Sequence, residues 1–183
     1  MATNALITGQ PRSGKSTVVE RTVARLRNRG STAGGIVCPE LQVAGERVGF
    51  EIVDIAGGHR EIMAHVDFDQ GPFVGKYGVD TNAVDDVAGR AIPAAVAGAD
   101  CVVIDEIAPM ELTSDRFVDV TRDALDAPTP VLAAVADRTD REFIRTVFER
   151  NDVESFRVST ETRDELPAEL ETWVLRRVGA TGC

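Results

Sequence analysis

Hydrophobic positions form two patterns along this chain, continuous apolar runs and amphipathic stretches, and the two alternate. Three runs contain consecutive apolar residues: residues 3–8 (TNALIT), 101–107 (CVVIDEI) and 130–136 (PVLAAVA). Runs of this kind are typical of strands that are buried on both faces in a parallel sheet. Residues 34–40 and 155–159 are shorter candidates for strands.

Amphipathic stretches follow most of these runs and predict helices. They cover residues 15–29, 83–97, 114–127, 140–151 and 166–178. We expect Ser114 to cap the third helix and Pro93 to bend the second. The fourth helix should bury Phe143, Val147 and Phe148. The alternation of strands and helices predicts an α/β fold, in which a mostly parallel central sheet is flanked by helices.

A different pattern interrupts this alternation between residues 47 and 66. Apolar and polar residues alternate in 47–55 (RVGFEIVDI) and again in 60–66 (REIMAHV), with glycines between the two stretches. Such alternation predicts half-buried antiparallel strands, and the intervening AGGH predicts a turn whose glycines adopt positive φ. The Gly-rich stretch 74–82 (VGKYGVDTN) predicts an irregular crossing to the next helix. We therefore expect an inserted antiparallel β-meander.

The composition is that of a globular protein, and 183 residues are most simply one domain spanning residues 1–183. No apolar stretch is long enough to cross a membrane and no export signal is visible, so we expect a cytoplasmic protein. The net charge of −10 argues against direct nucleic-acid binding, which needs clustered Lys and Arg. Cys38, Cys101 and Cys183 are too widely spaced for a zinc site or a disulfide framework. We expect a monomer or a weak oligomer.

The stretch GQPRSGKST, residues 9–17, matches the phosphate-binding pattern GxxxxGK(S/T). In this pattern, backbone N–H groups of a Gly-rich loop curl around phosphates at the positive end of the following helix. Lys15 is expected to reach the β- and γ-phosphates, and the Ser16 hydroxyl to coordinate Mg²⁺. An apolar strand precedes the loop and a helix follows it, as the motif requires. The chain is therefore predicted to have the three-layer fold of P-loop NTPases.

Two acidic residues compete for the second magnesium contact, which needs a carboxylate at the end of a neighbouring strand. Asp54 ends an alternating stretch and resembles the D-x-x-G segment of guanine-nucleotide switches. Asp105 ends a continuous apolar run that belongs in the middle of the sheet, so burial favours Asp105, and we expect Asp54 at the edge of a hairpin. Glu106 follows directly and is placed to activate a water, a role that contributes about 10²- to 10⁴-fold to reaction rates.

Two other functions remain open at this point. A guanine-nucleotide switch would carry Asn-Lys-x-Asp after a strand, but residues 137–140 read DRTD. An Asp cannot offer both the donor and the acceptor of an Asn amide, which argues against guanine recognition. A nucleoside or nucleotide kinase would share the phosphate loop, but it needs an acceptor pocket and usually an Arg-rich lid. The insertion predicted here is a meander rather than a compact lid.

Beyond these motifs, the chain resembles the small, broad-specificity nucleoside-triphosphatases known as the cancer-related or thermophile NTPase family. The resemblance runs nearly end to end and rests on the order and spacing of several segments. These segments are ITGQPRSGKST, CPE followed by GERVGFEIVDIAGG, VGKYGVD, VIDEIAPMEL, PVLAAVA and VSTETRDELPAEL. The chain departs from the family at Ala108, where Gly is usual, and at Thr162, where Asn is usual. A further departure is Asp137, where a basic residue or His is common.

The resemblance implies Mg²⁺-dependent hydrolysis of ATP, GTP, CTP, UTP and TTP to the diphosphate and phosphate, with weaker action on diphosphates. It also implies two nucleotide-binding segments. The first is the phosphate loop: Gly9, Gln10, Pro11, Arg12, Ser13, Gly14, Lys15, Ser16 and Thr17. The second is Val103, Ile104, Asp105, Glu106, Ile107, Ala108, Pro109 and Met110. We expect Lys15 and Glu106 to be catalytic, and Ser16 and Asp105 to hold the metal ion.

One more cation is expected near the γ-phosphate, since an Arg in this role contributes about 10³- to 10⁵-fold in related reactions. Lys76, in the Gly-rich VGKYGVD, is our candidate for this catalytic role. The alternative is a Lys76 that is solvated or paired with Asp80. Arg60, Arg138 and Arg163 are weaker candidates.

Overall fold

A computed structural model describes residues 1–181, which are organised around one ten-stranded sheet. Its strands are β1 (Asn4–Thr8), β2 (Ala33–Val37), β3 (Glu40–Val43), β4 (Glu46–Asp54), β5 (Arg60–His65), β6 (Phe73–Val74), β7 (Tyr77–Val79), β8 (Cys101–Ile107), β9 (Val131–Val135) and β10 (Val153–Arg157). The helices are α1 (Lys15–Asn28), α2 (Thr81–Gly98), α3 (Asp115–Asp126), α4 (Glu142–Phe148) and α5 (Leu166–Thr181). A 3₁₀ turn, Glu111–Thr113, precedes α3.

The parallel half of the sheet determines where a ligand can bind. It carries the strands in the order β10–β1–β9–β8–β2, and each neighbouring pair is parallel. The carboxyl ends of β1, β9 and β8 therefore meet at one edge. Open α/β sheets bind their ligands outside this edge, where the strand order changes direction.

The inserted strands β3 to β7 continue the same sheet with antiparallel pairings. Strand β4 pairs with β2, and β5, β7 and β6 follow outward, while β3 pairs with β4. The predicted fold class, including the antiparallel insertion, is confirmed. The short strands β3, β6 and β7 are additions, and β6 and β7 form a hairpin where the sequence predicted an irregular crossing.

Two hydrophobic cores cover the two faces of the sheet. From β8, Val102 and Ile104 enter the core beneath α2 and α3, whereas Cys101 and Val103 enter the core beneath α1 and α5. Strand β9 alternates in the same way between the two cores. Both faces of the central strands are dry, which is why their sequences are apolar at successive positions.

The capping residues set where two helices begin. The Oγ of Ser114 accepts a hydrogen bond from the backbone N–H of Phe117 at 2.9 Å, so the predicted cap of α3 is confirmed. Asp80 caps α2 through the N–H of Ala83 at 3.2 Å. Helix α2 consequently begins at Thr81, earlier than predicted, and Pro93 lies within it.

Helix α4 is shorter than predicted and buries a different set of side chains. Ile144 and Val147 are fully buried, whereas Phe143 and Phe148 are only partly buried against the core. All three predicted residues contact the core, but the buried side of this short helix is centred on Ile144, which leaves the two phenylalanines at its edges.

The structure also bears on the expectations for the cysteines and for membrane-spanning segments. Cys38 and Cys101 have free thiols, and Cys183 lies outside the described residues. Within residues 1–181, no helix is long and apolar enough to cross a membrane.

Candidate active site

The loop between β1 and α1 has the backbone geometry that phosphate binding requires. Gly9 and Gly14 have φ angles of +153° and +102°, and Arg12 between them has +63°. A Cβ atom on Gly9 would lie 2.6 Å from Oγ of Ser13 and 3.0 Å from the carbonyl oxygen of Val158. Position 9 therefore needs glycine both for its backbone conformation and for its close packing. Gly14 is the N-cap of α1, so the positive end of this helix lies at the loop.

Lys15, the first residue of α1, is surrounded by three oxygen atoms. Its Nζ donates hydrogen bonds to the carbonyl oxygens of Gly9 at 3.2 Å and Val135 at 3.4 Å. The same Nζ lies 3.1 Å from Oε2 of Glu106, and only 10% of the Lys15 side chain is exposed. The ammonium group is thereby fixed where the carboxyl ends of β1, β8 and β9 meet.

Asp105 lies near the carboxyl end of β8, beside the loop. Its Oδ1 accepts a hydrogen bond from the Ser16 hydroxyl at 3.2 Å. Burial raises the pKa of Asp105 to about 6, the charge of Glu106 contributes in the same direction, and the Ser16 hydrogen bond opposes both. A buried carboxylate beside a hydroxyl offers two oxygen donors of the kind that hard divalent cations bind.

Glu111, in the 3₁₀ turn, adds a third carboxyl group to this region. It is 3% exposed, and its Oε2 is buried without a hydrogen-bond partner among the described residues. Burial, followed by the charge of Glu106, raises the pKa of Glu111 well above its usual range. Burial likewise raises the pKa of the Cys38 thiol, to which the charge of Glu111 contributes. These shifts favour a neutral carboxylic acid at Glu111 and a neutral thiol at Cys38.

One cleft of about 580 Å³ is lined by the functional side chains described above: Lys15, Ser16, Cys38, Asp105, Glu106 and Glu111. The phosphate-loop wall consists of Pro11, Arg12, Gly14, Lys15, Ser16 and Thr17. The wall from β2 and the insertion consists of Cys38, Glu40, Arg47, Phe50, Met63 and Val74. The ends of β8 and β9 and the segments that follow them supply Asp105, Glu106, Ala108, Pro109, Met110, Glu111, Ala136, Asp137 and Arg138. The cleft thus combines basic groups and a phosphate-loop backbone with a set of carboxyl groups.

The sequence as a whole matches a known family. A family model described as NTPase matches residues 4–171. The chain belongs to this NTPase family. It is 42% identical over 161 residues to nucleoside-triphosphatase THEP1 of Methanothermobacter thermautotrophicus, an alignment that covers 88% of this chain and 90% of the relative. It is also 42% identical over 167 residues to the protein of the same name from Methanopyrus kandleri, covering 91% and 92% of the two chains.

Solved structures agree with this family membership. THEP1 from the hyperthermophile Aquifex aeolicus superimposes with a TM-score of 0.84 at 27% identity, covering 93% of this chain and 98% of that chain. A human cancer-related nucleoside triphosphatase superimposes with a TM-score of 0.81 at 28% identity, covering 94% and 97%. The predicted family is therefore confirmed.

The two predicted nucleotide segments contribute to the NTPase cleft only in part. Gly9, Gln10 and Ser13 belong to the loop but do not line the cleft. Three residues of the second segment have fully buried side chains in the two cores: Val103, Ile104 and Ile107. Their side chains support the sheet and cannot reach a ligand, because β8 is covered on both faces. The side chains that reach the cleft from this segment are those of Asp105, Glu106 and residues 108–110.

Lys76 lies in the exposed turn between β6 and β7, outside the lining of the cleft. Its Nζ lies over the ring of Tyr77, 5.6 Å from the ring centroid. The wall that the insertion contributes to the cleft instead carries Arg47. The geometry therefore associates Lys76 with the hairpin surface rather than with the phosphate loop.

Asp54 ends β4, and its carboxylate serves the following turn. Oδ1 accepts hydrogen bonds from the backbone N–H groups of Ala56 at 3.0 Å and Gly57 at 3.1 Å. Gly58 has a φ of +78°, as expected for this turn, whereas Gly57 does not have a positive φ. Asp54 does not line the cleft.

The weaker cation candidates lie in three different places. Arg138 lines the cleft, but its guanidinium donates two hydrogen bonds to Asp140 at 3.0 Å and 2.9 Å. Arg163 lines a small adjoining cavity of about 220 Å³ beside the first turns of α1. Arg60 pairs with Glu51 on the insertion at 2.9 Å.

Among the polar residues that line the cleft, sequence reasoning assigned no role to Cys38, Glu40, Arg47 and Glu111. Glu40 ends CPE and Glu111 lies near the end of VIDEIAPMEL, two segments on which the family resemblance rests. Their place in those segments could have indicated that they belong to the site. Arg47 begins an alternating stretch and carries no local mark of a phosphate contact. Its place in the cleft follows only from how the insertion packs against the end of β8.

Proposed function

We propose that the protein hydrolyses nucleoside triphosphates to nucleoside diphosphates and inorganic phosphate. The observation that carries this proposal is the meeting of the Lys15 ammonium, the Ser16 hydroxyl and the Asp105 and Glu106 carboxylates in one cleft. The relatives named nucleoside-triphosphatase THEP1 support the same activity over 88% and 91% of this chain. We propose ATP, GTP, CTP, UTP and TTP as substrates, because the contacts identified in the cleft suit phosphates rather than a particular base.

The phosphate loop and Lys15 bind the triphosphate. Backbone N–H groups of the loop and the positive end of α1 stabilise negative charge. The Lys15 ammonium, fixed by the carbonyl oxygens of Gly9 and Val135, needs little reorganisation to donate hydrogen bonds to phosphate oxygens. Binding energy is therefore directed at the phosphates, which all nucleoside triphosphates share.

Ser16 and Asp105 are the residues that would hold Mg²⁺. Their oxygen atoms are 3.2 Å apart, and both are hard donors that suit this ion. An Mg²⁺ ion held by these two residues would supply positive charge that offsets the negative charge of the triphosphate. Asp105 fits such an ion because a positive charge offsets the desolvation that raises the pKa of its buried carboxyl.

Glu106 is the proposed general base. A water oxygen attacks the γ-phosphorus while the bond from that phosphorus to the β–γ bridging oxygen breaks. The bridging oxygen leaves with the diphosphate, and one proton of the water passes to the Glu106 carboxylate, which later releases it to solvent. The Glu106 side chain is 32% exposed, and the contact of its buried Oε2 with Nζ of Lys15 at 3.1 Å keeps it at the phosphate end of the cleft.

A panel of nucleotides with two product assays tests this proposal. Each of the five triphosphates should yield diphosphate and free phosphate in a one-to-one ratio, and chelation of divalent cations should stop the reaction. A kinase would release less phosphate than diphosphate when nucleoside or nucleotide acceptors are added. A guanine-nucleotide switch would retain guanosine diphosphate tightly and act poorly on the other bases. Either result would contradict broad hydrolysis.

A further inference from the structure

Arg47 is the basic residue that the insertion contributes to the lining of the cleft, among the residues that the structure describes. Its Nε donates a hydrogen bond to the Tyr77 hydroxyl at 2.9 Å, and its Nη1 donates one to Oε1 of Glu40 at 3.1 Å. The guanidinium carbon lies 5.3 Å from the ring centroid of Phe50 and 5.8 Å from that of Tyr77. Two hydrogen bonds and two aromatic rings thus fix its orientation, which reduces the entropy lost when it binds an anion.

The packing around Arg47 connects it with the segment that follows β8. Phe50 and Tyr77, the two rings against Arg47, pack in one cluster with Met110. Met110 lies four positions after Glu106, just past the carboxyl end of β8. Arg47, Glu106 and Met110 all line the same cleft. Arg47 and Glu106 therefore line one cleft, with Met110 and its cluster connecting the segments that carry them.

The guanidinium keeps donors for a ligand after its internal contacts are made. An Arg carries five N–H donors in a planar fork. The contacts to Tyr77 and Glu40 use one on Nε and one on Nη1, which leaves three N–H groups. A planar pair of N–H groups matches two oxygens of one phosphate, and this bidentate geometry is stronger than a single ammonium contact.

The other cations near the cleft are less suited to this task. The guanidinium of Arg138 also keeps three N–H groups, but its two hydrogen bonds go to Asp140, two positions away on the same exposed loop. Arg47, by contrast, is held by Phe50 of β4 and Tyr77 of β7. Arg12 is exposed on the outer part of the phosphate loop, and Lys76 lies outside the cleft lining. Arg47 combines a cleft position with a fixed orientation and unused donors.

We propose that Arg47 binds the γ-phosphate and stabilises the negative charge that develops on it during hydrolysis, with Tyr77 as the residue that positions it. This assignment rests on the proposed hydrolase function and names the cation that the function needs. It also gives the insertion a role, because Arg47 lies on β4, the strand through which the insertion pairs with β2.

Nucleotide affinity measured with and without a γ-phosphate tests the assignment. Binding of a non-hydrolysable ATP analogue and of ADP is measured by calorimetry for wild type, Arg47→Ala, Arg47→Lys and Tyr77→Phe. Arg47→Ala should weaken binding of the analogue at least 10-fold and binding of ADP less than twofold, and should lower kcat by about 10²-fold or more. Arg47→Lys should recover only part of both losses, because an ammonium cannot bind two oxygens in a plane.

Two further variants keep the test decisive. Tyr77→Phe retains the ring but loses the hydroxyl, so it should weaken analogue binding about three- to 10-fold and leave ADP binding unchanged. Arg90→Ala, on the exposed surface of α2, removes a cation far from the cleft and controls for net charge. Equal loss of ADP and analogue binding in Arg47→Ala, or a selective loss in Lys76→Ala instead, would overturn the assignment. If wild type binds the analogue but releases no phosphate, the hydrolase proposal fails while the γ-phosphate contact remains measurable.

Discussion

The Ser16 hydroxyl and the Asp105 carboxylate lie 3.2 Å apart although they are 89 positions apart in the sequence. Parallel pairing brings them together. Strand β9 pairs with β1 on one side and with β8 on the other, so the loop after β1 and the end of β8 share an edge. The phosphate loop and the buried acid therefore meet because of the order in which the strands pair, and not because they are close in the sequence.

Asp105→Asn should stabilise the fold at neutral pH while it abolishes turnover. The folded-state pKa of Asp105 is about 6, whereas the unfolded value is about 3.9. Below about pH 4, Asp105 is protonated in both states and wild type has its full stability. As pH rises through this window the unfolded chain loses its proton first, so the stability of wild type falls by an amount on the order of 3 kcal/mol. The amide variant lacks this titration.

Urea unfolding at pH 4 and pH 7.5 in the presence of a chelator measures this effect. The free energy of unfolding of Asp105→Asn should increase relative to that of wild type as pH rises from 4 to 7.5, which means that the variant becomes relatively more stable. A difference that stays constant between the two pH values would mean that the carboxyl group is not destabilised in the folded chain.

Glu106→Gln should retain nucleotide binding and lose hydrolysis. The amide keeps the size of the side chain but cannot accept a proton from water, so kcat should fall by about 10²- to 10⁴-fold. The affinity for a non-hydrolysable analogue should change by less than about threefold, because Lys15 loses only its contact at 3.1 Å with the carboxylate. Steady-state phosphate release and calorimetry check the two parts. Wild-type turnover in this variant would exclude Glu106 as the base.

Gly9→Ala should damage the phosphate loop selectively. The new Cβ would lie 2.6 Å from Oγ of Ser13 and 3.0 Å from the Val158 carbonyl oxygen, at a φ of +153° that alanine rarely adopts. The loop must shift, so nucleotide affinity should fall by at least 10-fold, and the thermal midpoint should fall measurably. Gly98→Ala is the matched control, since a Cβ there meets nothing within 4 Å. Equal affinities of the two variants would show that the loop tolerates the shift.

Asp54→Asn should leave the magnesium dependence of hydrolysis unchanged. The Asp54 carboxylate accepts hydrogen bonds from its own turn, at Ala56 and Gly57, and an Asn side-chain oxygen can accept the same bonds. We expect a Mg²⁺ titration of phosphate release to shift by less than about twofold. A large shift would return Asp54 to the role of a switch-type magnesium acid.

The central strands were predictable because burial on both faces leaves a clear local pattern. Strands β1, β8 and β9 are apolar at successive positions, and each lies between two parallel neighbours. Strand β3 is exposed at most of its positions, and β6 contains only two residues. Their pairing depends on the neighbouring strands β4 and β7, which no local pattern reveals.

The candidate site was predictable where a spacing or a burial argument applied. The phosphate loop follows from the fixed spacing of Gly9, Gly14 and Lys15, and burial separates Asp105 from Asp54. Arg47 had no such signal, because its partner Tyr77 is 30 positions away and their contact exists only after the insertion has paired with the sheet. The expectation for Lys76 rested on nearby glycines, which belong to a hairpin turn.

Hydrolysis in water enriched in ¹⁸O tests the central claim most directly, because it reports which phosphorus atom water attacks. Wild type incubated with Mg²⁺ and each nucleoside triphosphate should place one ¹⁸O in the released phosphate and none in the diphosphate, and Lys15→Ala should release neither product above background. Mass spectrometry reads both products. Label in the diphosphate, or turnover without labelled free phosphate, would contradict water attack at the γ-phosphorus.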